Sequence, residues 1–281
     1  MHLELIHVAP RIPQSPLKLL FVHGICTGAW VWEHNFLPYF AGLGYDSYAI
    51  SLRGHGKSEG RAKIRRFGLG DFADDVEWAV NRIGGPAVVI GHSLGGAVAQ
   101  NFVKRGGKAA GIALFCSVPP HGLLRAAAIL FAHNPALANE LHKALNHGLH
   151  AVNFDIMESC LFSHPLAPEL RRLVFARMDD IAETASHQVA GWMPFAPLPW
   201  AMPELFVIGS ERDWFVPPSC VRLTAMYYGR RAVIVKNGAH AIMMDGNWRD
   251  AAEPIAAWLA SSFKGRALYT RPDEAARGTS G

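Results

Sequence analysis

Apolar residues follow two alternating rhythms along the chain. Short unbroken runs predict strands buried on both faces: Leu17 to Val22, Asp46 to Leu52, Val88 to Ile90 and Gly111 to Val118. Between them lie stretches with helical spacing. Trp30 to Leu43 stops at Gly44, a glycine suited to a left-handed helix end, and Asp71 to Ile83 carries acids near its start and ends at Gly84-Gly85-Pro86. Leu94 to Arg105 is a third such stretch. Apolar strands alternating with helices predict an α/β fold, a parallel sheet covered by helices on both sides.

The rhythm breaks at Pro119. From there to about Ala201 the chain is helical or irregular, rich in Ala, Leu, His and Pro, with no convincing strand pattern. Alternation resumes with Leu205 to Ile208 (strand), Pro218 to Tyr228 (helix), Ala232 to Val235 (strand) and Trp248 to Phe263 (helix). A helical block inside an α/β sheet is expected to lie as a lid over the strand C-terminal ends, where such sheets bind ligands. The expected organisation is a core of residues 1–118 and 202–263, a lid of residues 119–201, and a polar, disordered tail from Lys264 to Gly281. There are no internal repeats.

Composition narrows the class without changing this picture. Of 281 residues, 50% are hydrophobic and 18% charged, which fits a soluble globular chain with a sizeable core. The net charge of +4 is not gathered into a block that would mark a nucleic-acid partner or an anionic membrane. The nearest candidate, Arg61 to Arg66, is short and reads as a solvated loop. The first ten residues lack a basic region followed by a long apolar stretch, so no secretory signal is expected. The most apolar helical stretch, Leu123 to Ala132, is far too short to span a bilayer. Cys26, Cys116, Cys160 and Cys220 are widely spaced with no CxxC pair, the pattern of reduced thiols in a cytoplasmic protein.

Candidate chemistry centres on Gly91-His92-Ser93-Leu94-Gly95, a G-x-S-x-G motif between a predicted strand and a predicted helix. A sharp turn there lifts the serine hydroxyl above the sheet edge, and only small residues fit behind it. Gly96, Ala97 and Ala99 continue the small-residue pattern.

With this motif the chain resembles the α/β-hydrolase fold family, and the resemblance covers nearly all of residues 17 to 263. Phe21-Val-His-Gly-Ile25 is similar to the family's His-Gly oxyanion loop. Ser51-Leu-Arg-Gly-His-Gly-Lys-Ser58 is similar to its D-x-R-G-H-G-x-S turn, with serine in place of aspartate, a departure expected to leave catalysis untouched. The block after Pro119 corresponds to the family's variable lid, inserted after the sixth strand of the sheet. Gly209-Ser-Glu-Arg-Asp-Trp-Phe-Val-Pro217 resembles the acid loop, making Asp213 the best acid and Glu211 the alternative. Gly238-Ala-His-Ala-Ile-Met-Met-Asp245 resembles the histidine loop, and His240 is the only histidine after His187. Asp245 is expected to cap or charge the start of the final helix.

The resemblance implies a nucleophile Ser93, a base His240 and an orienting acid Asp213, in the chain order required by this fold. Backbone N–H groups of Ile25 and Leu94 would form the oxyanion hole. Serine at this position resembles the acyl-transferring branch, since branches that open epoxides or displace halide carry aspartate there. The turn, elbow and histidine loop look most like lysophospholipase and monoacylglycerol-lipase-like esterases. Ile25 to Trp32 is more weakly similar to small methylesterase and hydroxynitrile-lyase relatives.

The expected activity is cofactor-independent hydrolysis of a carboxylic ester through an acyl-enzyme. The alternatives are a C–C bond hydrolase, lactonase, thioesterase, lyase or perhydrolase on the same triad, or a non-enzymatic small-molecule receptor. The expected partner is a small ester with an apolar acyl or aromatic part. Pocket-wall candidates are Cys26, Phe154, Met157, Leu161, Phe162, Trp192, Met193, Phe195 and Trp200, with Trp214 and Ile242 flanking the acid and the base. His55 and His92 read as hydrogen-bonded structural residues. His133, His142, His147 and His150 lack the spacing of a metal site, so no metal is expected.

Overall fold

A computed structural model describes residues 1–191 and 194–264 of the chain. The unbroken apolar runs form strands β2 (Lys18–Val22), β3 (Asp46–Ile50), β4 (Ala87–His92) and β5 (Gly111–Phe115), followed later by β6 (Glu204–Ser210) and β7 (Ala232–Val235). One further strand precedes them: β1 (Leu5–Val8), half-buried, which pairs antiparallel with β3 in the register Leu5 to Ile50. The seven strands form one sheet in the order β1-β3-β2-β4-β5-β6-β7, and every pairing but the first is parallel.

Every residue of β4 and β5 is buried, because helices cover both faces. Side chains alternate between two cores. Leu20, Val22, Val89, Ile112 and Leu114 pack towards α2 (Leu69–Ile83) and α3 (Leu94–Lys104). Leu19, Phe21, Val88, Ile90 and Phe115 pack towards α1 (Phe36–Gly42) and the long C-terminal helix Arg249–Phe263. The helix expected over Trp30 to Leu43 divides in two: a short 3-10 turn, Ala29–Trp32, precedes α1. Both pieces bury aromatics against Phe21, so a single apolar face serves two elements.

Between β5 and β6 the chain runs through α4 (Leu124–His133), α5 (Pro135–His147), α6 (Phe154–Leu161), α7 (Pro168–Ala176) and α8 (Glu183–Gln188). This block follows the fifth strand of the chain, not the sixth, because a single strand precedes the His-Gly loop strand β2. After β6 come α9 (Pro218–Tyr227), β7 and α10 (Arg249–Phe263). No helix among the described residues is long and apolar enough to cross a membrane. The tail expected to be disordered lies, from residue 265 on, outside the described residues, as do Trp192 and Met193.

The basic run is exposed at Arg61, Ala62, Lys63 and Arg66, but it is not irregular. It forms a 3-10 turn, Arg61–Arg66, that faces acids leading into α8: Arg61 Nη2 lies 2.6 Å from Asp179 Oδ1, and Arg65 pairs with Asp180 and Glu183. Asp179 Oδ2 also accepts from the Gly56 N–H at 2.7 Å. The block is therefore anchored to the turn after β3.

Candidate active site

Ser93 stands between β4 and α3 with φ +52° and ψ −117°. A left-handed backbone is costly for a residue with a Cβ and persists only where its surroundings enforce it. Here the Ser93 N–H donates to the Phe115 carbonyl at 3.1 Å, and the Ser93 carbonyl accepts from the N–H groups of Gly96 and Val118, each at 3.1 Å. The glycines are sterically required: a Cβ on Gly91 would strike the carbonyl of Gly95, and one on Gly95 would strike the carbonyl of His23. Behind the elbow, Gln100 Nε2 donates to the Val118 carbonyl at 2.9 Å, and Tyr228 Oη donates to Gln100 Oε1 at 2.9 Å.

The loop after β7 brings His240 to this serine. Its Nε2 lies 3.0 Å from Ser93 Oγ, and its Nδ1 lies 2.8 Å from Oδ2 of Asp213, in the loop after β6. Asp213 is oriented by its other oxygen, which accepts from the N–H groups of Phe215 and Val216 at 2.8 and 2.9 Å. The tautomer that satisfies all these contacts has Nδ1–H donating to Asp213 and Nε2 accepting from the Ser93 hydroxyl. Ser93, His240 and Asp213 are 8%, 5% and 3% exposed, so the proton path is shielded from water. Glu211 is exposed and takes the Asn237 N–H at 2.9 Å instead.

Among the described residues, neither the Ile25 N–H nor the Leu94 N–H has an acceptor. Leu94 is the first residue of α3, where the helix leaves N–H groups free and the dipole favours negative charge. Cys26, next to Ile25, has φ +59°, and its carbonyl accepts from the Asp179 N–H at 2.9 Å. The helical block thus holds the loop that carries Ile25.

Three buried histidines frame the site. His23 Nδ1–H donates to the Gly24 carbonyl at 2.7 Å while Nε2 accepts from the Leu52 N–H at 3.0 Å. His92 Nε2–H donates to the His240 carbonyl at 3.0 Å. His55 Nδ1–H donates to the Arg53 carbonyl at 3.2 Å. Burial pulls all three below the ordinary histidine range, His55 to about 4, so each is neutral at pH 7. One His/Cys/Asp/Glu set among the described residues lies within metal-binding reach, His92, Cys116 and His240, with ligand atoms within 4.8 Å of one another. Both nitrogens of His240 and the Nε2 of His92 already have hydrogen-bond partners there.

An apolar cluster packs over the site. Cys26 and Met157 belong to it with Leu130, Leu137, Cys160 and Ile181, and Ile25, Leu161, Trp214 and Phe215 pack against it. Phe215 also lies against the His240 ring, centroids 4.8 Å apart. Burial pushes the Cys26 thiol pKa strongly up, so it packs there as a neutral thiol. Other expected wall residues lie elsewhere. Phe154 packs against Phe175 of α7, the ring centroids 4.4 Å apart and the planes tilted by 40°. Phe162 and Ile242 are buried in the core on the α1/α10 side of the sheet, and Phe195 in the core on the α2/α3 side. Trp200 is 80% exposed on the surface. Asp245 does not cap α10; its Oδ2 accepts from the N–H and hydroxyl of Ser163, both at 2.8 Å.

Two supports were not legible from motifs. Serine at position 51 leaves the turn after β3 without a carboxylate, and Glu4 supplies one: Ser51 Oγ donates to Glu4 Oε2 at 2.6 Å, which also accepts from the Lys57 N–H at 3.0 Å. The Ala29 N–H donates in turn to Ser51 Oγ at 2.9 Å. The other is the His92 bond to the His240 backbone.

Comparisons with known proteins bear on the family and the fold. The model of the alpha/beta hydrolase family matches residues 19–258. The chain belongs to that family. Over 95 residues it is 33% identical to epoxide hydrolase B of Mycobacterium tuberculosis, a match covering 34% of this chain and 26% of that protein's length. Among solved structures, it superposes on a bromoperoxidase from Bacillus anthracis with a TM-score of 0.72 at 15% identity, covering 92% of this chain and 95% of that one. An enol-lactonase from Burkholderia xenovorans gives 0.69 at 18% identity, with 92% and 96% covered. An esterase from Exiguobacterium antarcticum gives 0.69 at 12% identity, with 92% and 95% covered. These α/β-hydrolase likenesses establish the fold across the chain.

Proposed function

We propose that the protein is a serine hydrolase that cleaves a carboxylic ester with an apolar acyl or aromatic part. The observation that carries this reading is His240, held between Ser93 Oγ at 3.0 Å and Asp213 Oδ2 at 2.8 Å. Ser93 Oγ attacks the ester carbonyl while its proton passes to His240 Nε2. Asp213 fixes the imidazole tautomer and stabilises the imidazolium. The oxyanion forms against the N–H groups of Ile25 and Leu94, whose loss would each cost roughly 3–4 kcal/mol of barrier. His240 then protonates the departing alkoxide, and water, activated by the same nitrogen, releases the acid from Ser93.

The helical block acts as a lid. Its apolar cluster abuts Ile25 and Phe215, which supports an apolar substrate group and a water-poor site. Serine at the nucleophile position supports acyl transfer over the epoxide opening named for the Mycobacterium tuberculosis relative. Four unpaired cysteines fit a reducing, cytoplasmic setting.

The test is a panel of p-nitrophenyl esters of increasing chain length, with lactone and thioester analogues alongside. Turnover that improves with acyl length and disappears in Ser93→Ala supports the reading. No turnover of any acyl compound overturns it.

A further inference from the structure

A groove of about 510 Å³ opens beside α6, and Ser93, Asp213 and His240 are not among the residues that line it. Helical spacing divides α6 lengthwise. Ile156, Met157 and Cys160 turn to the apolar cluster over the proposed active site. Asp155, Glu158 and Ser159, with Phe162 just beyond the helix, line the groove instead. The loop into α7 and Arg171 complete it, together with Arg212 from the loop after β6. The backbone holds Arg212 in place, because its N–H donates to the Gly238 carbonyl at 2.8 Å. The volume is that of a small-molecule site.

Most polar groups of the groove are already committed. Glu158 is satisfied twice: Oε1 accepts from the Leu166 N–H at 2.8 Å, and Oε2 lies 2.7 Å from Arg171 Nε. Arg171 also pairs with Asp155. The Ser159 hydroxyl donates to the Ile156 carbonyl at 2.8 Å, and the Ser163 hydroxyl to Asp245. Of the acids and arginines lining the groove, Arg212 has no ion-pair partner among the described residues. Phe162, Pro165 and Leu166 supply apolar wall. A free guanidinium in such a groove suits an anion with an apolar body, and its planar fork suits a carboxylate. Asp155 and Glu158 share the single charge of Arg171, so one negative charge remains in the lining. That surplus disfavours a doubly charged phosphate more than a carboxylate.

We propose that this groove is a second binding site, which takes a monocarboxylate with an alkyl or aryl body through Arg212. The proposal does not rest on the catalytic reading, because binding here needs no turnover at Ser93.

The experiment is calorimetric titration of the full-length protein with octanoate and with benzoate at roughly 50 mM salt. Expected is saturable binding of at least one of them, one per chain. Octanamide and benzamide, which keep the shape without the charge, and inorganic phosphate bind about tenfold more weakly or worse. Arg212→Gln removes the guanidinium and Ser159→Trp fills the groove; each weakens binding by about tenfold or more. Arg230→Gln, exposed outside the groove, binds like the wild type. Ser93→Ala also binds like the wild type, which separates this proposal from the catalytic one. Circular dichroism melts establish that the variants remain folded. No binding of either acid up to roughly 10 mM overturns the proposal. So do amides that bind as well as the acids, or undiminished binding by folded Arg212→Gln and Ser159→Trp, which would place the carboxylate elsewhere.

Discussion

The His92 ring donates its Nε2–H to the backbone carbonyl of His240 at 3.0 Å, with the two rings 4.7 Å apart. The residue before the elbow serine thereby fixes the backbone of the proposed base, 148 positions away. A glutamine amide nitrogen reaches about as far as Nε2, whereas an asparagine stops at the position of Nδ1. His92→Gln is expected to keep most activity, and His92→Asn and His92→Ala to lose about 5- to 100-fold in kcat with little change in KM. Steady-state kinetics on one p-nitrophenyl ester checks this; equal activity in all three variants contradicts it.

Glu4 and Ser51 share a short hydrogen bond that substitutes for an aspartate in the turn. Ser51→Asp alone brings two carboxylates together and is expected to destabilise the protein by about 1–3 kcal/mol. Adding Glu4→Gln should recover most of that loss, giving a strongly non-additive double-mutant cycle in urea unfolding. Additive effects would remove the proposed compensation.

Asp179 joins the helical block to two loops, through the Gly56 N–H and through its own N–H to the Cys26 carbonyl. Arg61 adds an ion-pair contact from a more exposed position. Asp179→Ala is expected to cost about 1–3 kcal/mol of stability, because the Gly56 N–H loses its buried acceptor, and to lower kcat, because the 179 backbone that still donates to the Cys26 carbonyl is then held less firmly beside the loop carrying Ile25. Asp179→Asn, which keeps an acceptor for Gly56, should lose less of both. Thermal melts and kinetics on the pair decide; identical behaviour of the two variants contradicts this role.

Acid should unfold the protein early. His23, His55 and His92 are held neutral by burial, His55 down to about 4. Unfolded, each returns to about 6.5, so below that pH the unfolded state binds more protons and stability falls as pH falls. Each contributes a slope of up to about 1.4 kcal/mol per pH unit, about 4 together, against a total stability of roughly 5–15 kcal/mol. Burial raises the carboxyl pKa values of Asp75 and Asp179, which opposes this at two sites. The urea midpoint is expected to drop steeply between pH 6.5 and about 5, less so in His55→Asn. A flat midpoint over that range contradicts the assignment.

The parallel strands were legible because helices on both faces demand unbroken apolar runs, and Lys18–Val22 and Gly111–Phe115 carry little else. β1 was not, since an edge strand half open to solvent has no such run. Gly91, Ser93 and Gly95 declared the elbow through local sterics, and the loops of Asp213 and His240 were legible through their resemblance to the family's acid and histidine loops. Long-range substitutions carry no such local signal. Glu4 reaches Ser51 across 47 positions, and Asp245 turns to Ser163 rather than to the helix beside it. Aromatic residues of the block read alike in sequence, yet Phe162 is buried in the core while Trp200 is 80% exposed, because only packing separates an interior from a surface.

The central claim is that Ser93 is the nucleophile that His240 activates. Mass spectrometry of the intact protein after fluorophosphonate treatment tests it most directly. The account predicts one adduct per chain, mapped to Ser93, absent in Ser93→Ala and formed at least about a hundredfold more slowly in His240→Ala. An unlabelled wild type, or an adduct that persists in folded Ser93→Ala, would contradict it.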